Sequence, residues 1–271
     1  MARYGLFGAL IIAVSEVGML LRVEPFWSWH TPTAWTGYIL LVDAWVLKRR
    51  GHSWLHDARA EFAFLAAASV PLWLVFEWYN TFFINNWHYI NLPQNPALRY
   101  FGYAWSFATI WPAIFETGDL VASFRRGEVA TSRPKASGVS GLWPLASGLA
   151  GAALLAWPVV APSPYLAAPV WLGFIFLLDP INRRLGAEAI TPDRAVNLGL
   201  AGLICGVVWE FWNYWARAKW LYDVPVLPEL KIFEMPLPGY GGFPPFALEC
   251  FTMYVTVRLV FWRGAARPIS V

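Results

Sequence analysis

Charge is scarce in this chain. Asp, Glu, Lys and Arg make up 14% of its 271 residues, whereas 58% are hydrophobic and 18 are Trp. A soluble domain of ordinary composition carries about 25% charge. So little charge cannot coat a water-facing surface, which excludes a typical soluble fold and points to an all-α polytopic membrane protein. Cysteine is sparser still: Cys205 and Cys250 lie in separate apolar stretches, outside any CxxC spacing. A disulfide framework is thereby excluded, and both thiols are expected to be buried as small apolar side chains. Histidine occurs four times. His52 and His56 stand i, i+4 in a basic loop without an HExxH pattern, so neither a metal nor another cofactor is expected. Phosphate-loop, dinucleotide and nucleophile-elbow motifs are missing, which leaves nucleotide chemistry and serine hydrolysis without support. A net charge of +3 says little by itself, and no nucleic-acid partner is expected.

What is present is apolar sequence in long runs, near 4–22, 33–47, 62–84, 100–123, 141–160, 166–180, 195–216 and 243–262. A bilayer helix needs about 20 residues. Eight spans are predicted, the second and sixth being short. With a cytoplasmic N-terminus, all of the 20 Lys and Arg except Arg22, Arg99, Arg217, Lys219 and Lys231 fall on the inner side. That bias favours eight spans over six and predicts an integral protein of a bacterial inner membrane with both termini cytoplasmic. The first run lacks a cleavage site and is expected to stay as an anchor.

Two stretches repeat one polar punctuation. Glu77, Asn80, Trp87, Tyr89, Pro112 and Glu116 recur as Glu210, Asn213, Trp220, Tyr222, Pro245 and Glu249, each 133 residues later. Upstream, Trp35, Gly37, Leu41 and Asp43 recur as Trp171, Gly173, Leu177 and Asp179 at an offset of 136. The pattern predicts a tandem duplication: a four-helix repeat over 1–123, a basic cytoplasmic linker over 124–140, and a second four-helix repeat over 141–271. Four spans per unit insert both units in the same direction, so the relating twofold axis should run along the membrane normal. Asp43 and Asp179 precede basic clusters and are expected to pair with them. The Pro- and Gly-rich apolar loop from Leu227 to Pro245 suits a lid packed on protein.

Carboxylates inside spans are expensive, at about 2.5–3.5 kcal/mol each near the bilayer centre. Glu77, Glu116, Glu210 and Glu249 therefore need a use, and they are the candidate catalytic groups. Glu77 with Asn80, and Glu210 with Asn213, share a helical face. Pro112 and Pro245 are expected to kink the following span next to its acid. On this reading all four acids converge on one dry cavity, where a protonated carboxyl can serve as general acid. Asn80, Asn213, Trp87, Tyr89, Trp220 and Tyr222 are the candidate substrate contacts. Interhelical hydrogen bonding is the competing use of the same residues.

The acid and Asn on an aromatic span, the W-x-Y that follows, and the proline before a second glutamate together resemble the membrane-bound lycopene cyclase domain family, which includes the heterodimeric-type carotenoid cyclases. The resemblance covers the third and fourth spans of each half. It implies a redox-neutral, acid-initiated cyclisation or isomerisation of a lipophilic isoprenoid or polyene, with membrane lipid and that substrate as partners. Two other classes stay open: a small-solute or ion transporter with a glutamate-lined pathway between the repeats, and a non-catalytic membrane partner protein. The oligomeric state is not indicated.

Overall fold

The computed structural model describes residues 2–125, 142–264 and 269. The linker predicted over 124–140 thus lies almost wholly outside the described residues. The fold is all-α apart from two short ribbons. Helices α1 (Arg3–Leu20), α2 (His30–Arg50), α3 (Trp54–Asp57), α4 (Arg59–Tyr79), α5 (Pro96–Ala108) and α6 (Ile110–Phe124) precede the undescribed segment. After it come α7 (Trp143–Val160), α8 (Ala167–Arg184), α9 (Pro192–Trp215) and α10 (Phe243–Phe261). Strands β1 (Trp87–Ile90) and β2 (Lys219–Tyr222) form one ribbon, and β3 (Lys231–Ile232) and β4 (Met235–Pro236) the other.

Among the described residues, five stretches are long and apolar enough to cross a membrane: Arg3–Leu20, Arg59–Ile84, Trp143–Val160, Pro164–Arg184 and Pro192–Trp215. Their surfaces are oily. Leu6, Phe7, Leu10, Val14 and Val17 of α1 are exposed, while Asp43, Glu116, Glu210, Asn213 and Glu249 are buried. This inverted polarity is what a hydrocarbon solvent selects. The short second and sixth runs become helices of 21 and 18 residues because basic residues extend both of them. Left-handed Gly51, with φ of 78°, then stops α2.

The first helix pair of each half packs through small residues. A Cβ on Gly8 would lie 2.5 Å from the Gly37 carbonyl, and one on Gly151 would lie 2.7 Å from the Gly173 carbonyl. Such contacts let helix backbones approach without lipid between them. The charged ends of the helices gather at one end of the bundle. There Arg49 meets Ser123, Arg50 meets Asp119, Arg125 bonds Asn197, and Arg258 pairs with Glu61 and Glu188. Tyr4 reaches Asp43 at 2.5 Å and Ile269 is held by Arg194, so both described chain ends lie there too.

Several expectations need correction. Asp43 does not pair with the neighbouring Lys48, Arg49 or Arg50; it accepts from Tyr4, Ser53 and the Leu55 amide, tying down the turn after α2. Asp179 does pair locally, with Arg183 at 2.6 Å, and also takes the Ile190 amide at 2.7 Å. Pro112 and Pro245 do not kink a span. They fall in the first turns of α6 and α10, where a missing N–H costs no helical bond. The apolar run at 100–123 is not one helix either, because Thr109 separates α5 from α6.

Candidate functional site

Asn80 and Asn213 build the site by a shared device. The Asn80 amide donates to the Trp87 carbonyl at 2.8 Å, and its oxygen accepts from the Asn86 and Trp87 amides. Asn213 likewise donates to the Trp220 carbonyl at 2.8 Å and accepts from the Trp220 amide at 2.9 Å. Each side chain imitates a strand partner and fixes the start of a ribbon strand. This corrects their assignment as substrate contacts, since both amides are used on backbone and neither lines the cavity.

The clamped strands pair antiparallel, with Trp87 opposite Tyr222, His88 opposite Leu221 and Tyr89 opposite Trp220. His88 and Leu221 are 133 residues apart, the offset of the sequence repeat. The ribbon is therefore self-complementary about that pair. Alternation along each strand turns Trp87, Tyr89, Trp220 and Tyr222 to one face. Beneath that face lies a cavity of about 660 Å³, lined by all four of these residues.

The cavity wall is chiefly aromatic. Trp35, Trp73, Tyr103, Phe107, Trp171 and Trp209 contribute to it, and Phe246 packs among Trp73, Trp171 and Trp209 at ring distances of 5.3–6.2 Å. Met235, Pro238, Gly239 and Phe243 of the 227–245 loop line it, with Val224 and Val226 just before that loop. Lys219 holds the loop through Glu234 at 2.5 Å. Several buried polar atoms on this wall have no hydrogen-bond partner among the described residues: Trp29 Nε1, Thr31 Oγ1, Trp35 Nε1, Asn86 Oδ1 and Glu210 Oε2. Buried polar groups rarely go unsatisfied.

The four glutamates do not converge. In the first half, Ser69 bonds the Phe107 carbonyl and takes the Trp111 amide, which sets α4 and α6 in register. At a rise of 1.5 Å per residue, Glu77 and Glu116 then lie roughly 20 Å apart along the bundle. In the second half Gly202 faces Phe243 and Ala247, which separates Glu210 from Glu249 by roughly 18 Å. The acids form two tiers, and this corrects the shared-site expectation. Glu249 is buried where the Phe174 amide donates to it at 3.1 Å. Glu116 is buried close to Tyr4 and Tyr38, beside Thr117, which bonds Tyr38 at 2.9 Å. Neither inner acid lines the cavity.

In the outer tier the two acids differ. Glu77 Oε1 accepts from Trp73 at 2.8 Å, Trp87 at 3.2 Å and Tyr89 at 2.5 Å. Glu210 Oε1 accepts from Tyr222 at 2.7 Å, and Trp220 donates to that phenol at 2.8 Å instead of to the acid. Burial, followed by the adjacent carboxylate, pushes the Tyr89 and Tyr222 phenols well above their ordinary range, so both remain donors. Of the four acids only Glu210 reaches the cavity wall.

Sequence reasoning missed a neighbouring polar cluster. Trp212 donates to Glu16 at 2.8 Å, and buried His30 lies 3.9 Å from the same carboxylate and 2.9 Å from Ser15. Glu16 lacks a counterpart in the second half, so the repeat carried no signal for it. Comparison of the chain with protein-family models, curated proteins and solved structures finds no match.

Proposed function

We propose that this protein is a membrane-embedded enzyme that isomerises or cyclises a lipophilic isoprenoid by protonating an alkene, with Glu210 as the acid. The observation that carries the reading is one buried carboxyl among the residues that line an aromatic cavity of about 660 Å³, with one oxygen that takes no hydrogen bond from the described residues. That volume is in the range of small-molecule sites.

The chemistry balances on one residue. The Glu210 proton forms a new C–H bond with the alkene π electrons, leaving a carbocation and a carboxylate. The cation is attacked by a second double bond in a cyclisation, or persists in an isomerisation. Loss of a proton from a neighbouring carbon to Glu210 makes the final double bond and restores the acid. Indole and phenyl faces stabilise the intermediate cation by about 2 kcal/mol or more per dry contact. Tyr222 holds Glu210 in position, and Trp220 holds Tyr222. The resemblance to the carotenoid cyclases supports the same class of reaction.

The proposal includes eight spans in two tandem repeats, with the lid and ribbon on the outer face of a bacterial inner membrane and both termini cytoplasmic. The self-complementary ribbon, the matched starts of α6 and α10 and the two glycine-packed helix pairs support it. Enzyme is favoured over transporter because Trp111 and Phe115 are fully buried between the tiers of acids, and Phe251 and Tyr254 are fully buried beyond the inner one. A pathway through the bundle would have to displace them.

The test compares lipid extracts of cells making the native chain, Glu210→Gln, Glu77→Gln or an empty vector. Glutamine keeps the shape and loses the transferable proton. Native and Glu77→Gln cells should share an altered isoprenoid profile that Glu210→Gln and the vector lack. Identical profiles in all four, with equal amounts of folded protein, would refute the reading.

A further inference from the structure

We propose that the ligand of this cavity is a prenyl chain with an anionic oxyacid head, and that Arg99 holds the head at the rim. The inference rests on the cavity reading above and names the class of molecule it takes. It starts from charge. Arg99, Lys219 and Glu210 are the charged side chains on the wall. Lys219 is neutralised by Glu234 at 2.5 Å. Arg99 has no ion-pair partner among the described residues, and its one hydrogen bond, from Nε to the Pro93 carbonyl at 3.0 Å, fixes the guanidinium without neutralising it. Both Nη groups remain available, the fork that binds carboxylate or phosphate oxygens in pairs.

A cation with no counter-charge from the protein calls for an anion. A hydrocarbon would leave it unneutralised.

The helix also sets the direction of the tail. Arg99, Tyr103 and Phe107 follow at i, i+4 and i+8 along α5, and Ile110 continues the line into α6; all four face the cavity. The stripe passes from cation through phenol to phenyl and aliphatic over roughly 16 Å. It matches a short prenyl chain with its head outward and its alkenes among the tryptophans.

The test is calorimetric titration of the purified protein in detergent micelles with farnesyl phosphate, farnesol and inorganic phosphate. The native protein should bind farnesyl phosphate tighter than farnesol by about tenfold or more, the usual yield of hydrogen bonds to a charged group. Arg99→Gln should abolish that preference while leaving farnesol affinity unchanged, which also shows that the variant is folded. Arg99→Lys should retain part of it. Inorganic phosphate should not displace the ester at equal concentration. Equal native affinities for ester and alcohol, or a preference that survives Arg99→Gln, would overturn the anionic head and leave the cavity reading standing. Displacement by inorganic phosphate would overturn it as well, by showing that the anion binds without help from the tail. No binding of either prenyl compound would overturn both readings.

Discussion

Glu77 and Glu210 occupy the same place in two blocks that align without a gap, yet one carboxylate takes three side-chain donors on a single oxygen and the other takes one. The difference traces to one position. Trp73, which donates to Glu77, corresponds at the 133-residue offset to Gly206. Gly206 has no side chain to offer Glu210, and the Phe243 ring fills the space, within 2.2 Å of where a Cβ would stand. Trp220 donates its N–H to the Tyr222 phenol, which in turn donates to the acid. Two copies of one motif thus divide the work: the first braces the ribbon, and the second puts an acid on the cavity wall.

Truncating the brace should have the largest effect on stability. Trp73→Ala removes a packed ring and one of three donors to Glu77, and large-to-small changes of this kind cost about 3–5 kcal/mol. Thermal unfolding in detergent should show the loss, while Trp73→Phe should recover most of it. Equal melting of all three proteins would break the claim that the first copy is structural.

The clamps come next. Asn80→Ala releases three hydrogen bonds and Asn213→Ala two, at about 1 kcal/mol for each bond and more where a buried group stays unpaired. The first substitution should lower the unfolding temperature more than the second, and proteolysis within the ribbon should rise in the same order.

A smaller effect separates the two phenols. Tyr222→Phe deprives Glu210 of its direct donor, a loss of about 1–3 kcal/mol, whereas Tyr89→Phe leaves Glu77 with two indoles. Turnover, measured on extracts as above, should fall with Tyr222→Phe and hold with Tyr89→Phe. The reverse order would assign the working acid to the first copy. The smallest effect is at the centre of the ribbon. His88 and Asp223 pair at 2.5 Å with both side chains about half exposed, and such pairs contribute about 0–1 kcal/mol. His88→Leu, which copies Leu221, should leave melting almost unchanged.

The helices were legible because apolar runs of span length have few alternatives, and the repeat was legible because carboxylates and amides stand out in such runs. Height was not. Hydropathy places Glu116 and Glu77 in successive spans but says nothing of the register between them, which Ser69 sets by its contact with Trp111. The break at Thr109 was hidden by an uninterrupted apolar run. Asn80 and Asn213 were correctly singled out and wrongly employed, because spacing shows that an amide shares a face with an acid but not that it turns toward backbone. The decisive contrast of Trp73 with Gly206 lay in the aligned blocks all along. It was invisible to a comparison that looked for what the copies share.

The symmetric register of the ribbon has a consequence for how such a molecule could have arisen. A strand that pairs with its own repeat would, in a chain of half the length, pair with a second identical chain, and every substitution would then appear on both sides of the axis. A Gly at the position of Trp73 would expose two acids and leave no brace. Joining the copies in one chain removes that constraint, so that one side can give up an indole while the other keeps it. On the duplication proposed above, covalent linkage is what allowed a binding chamber with two different walls.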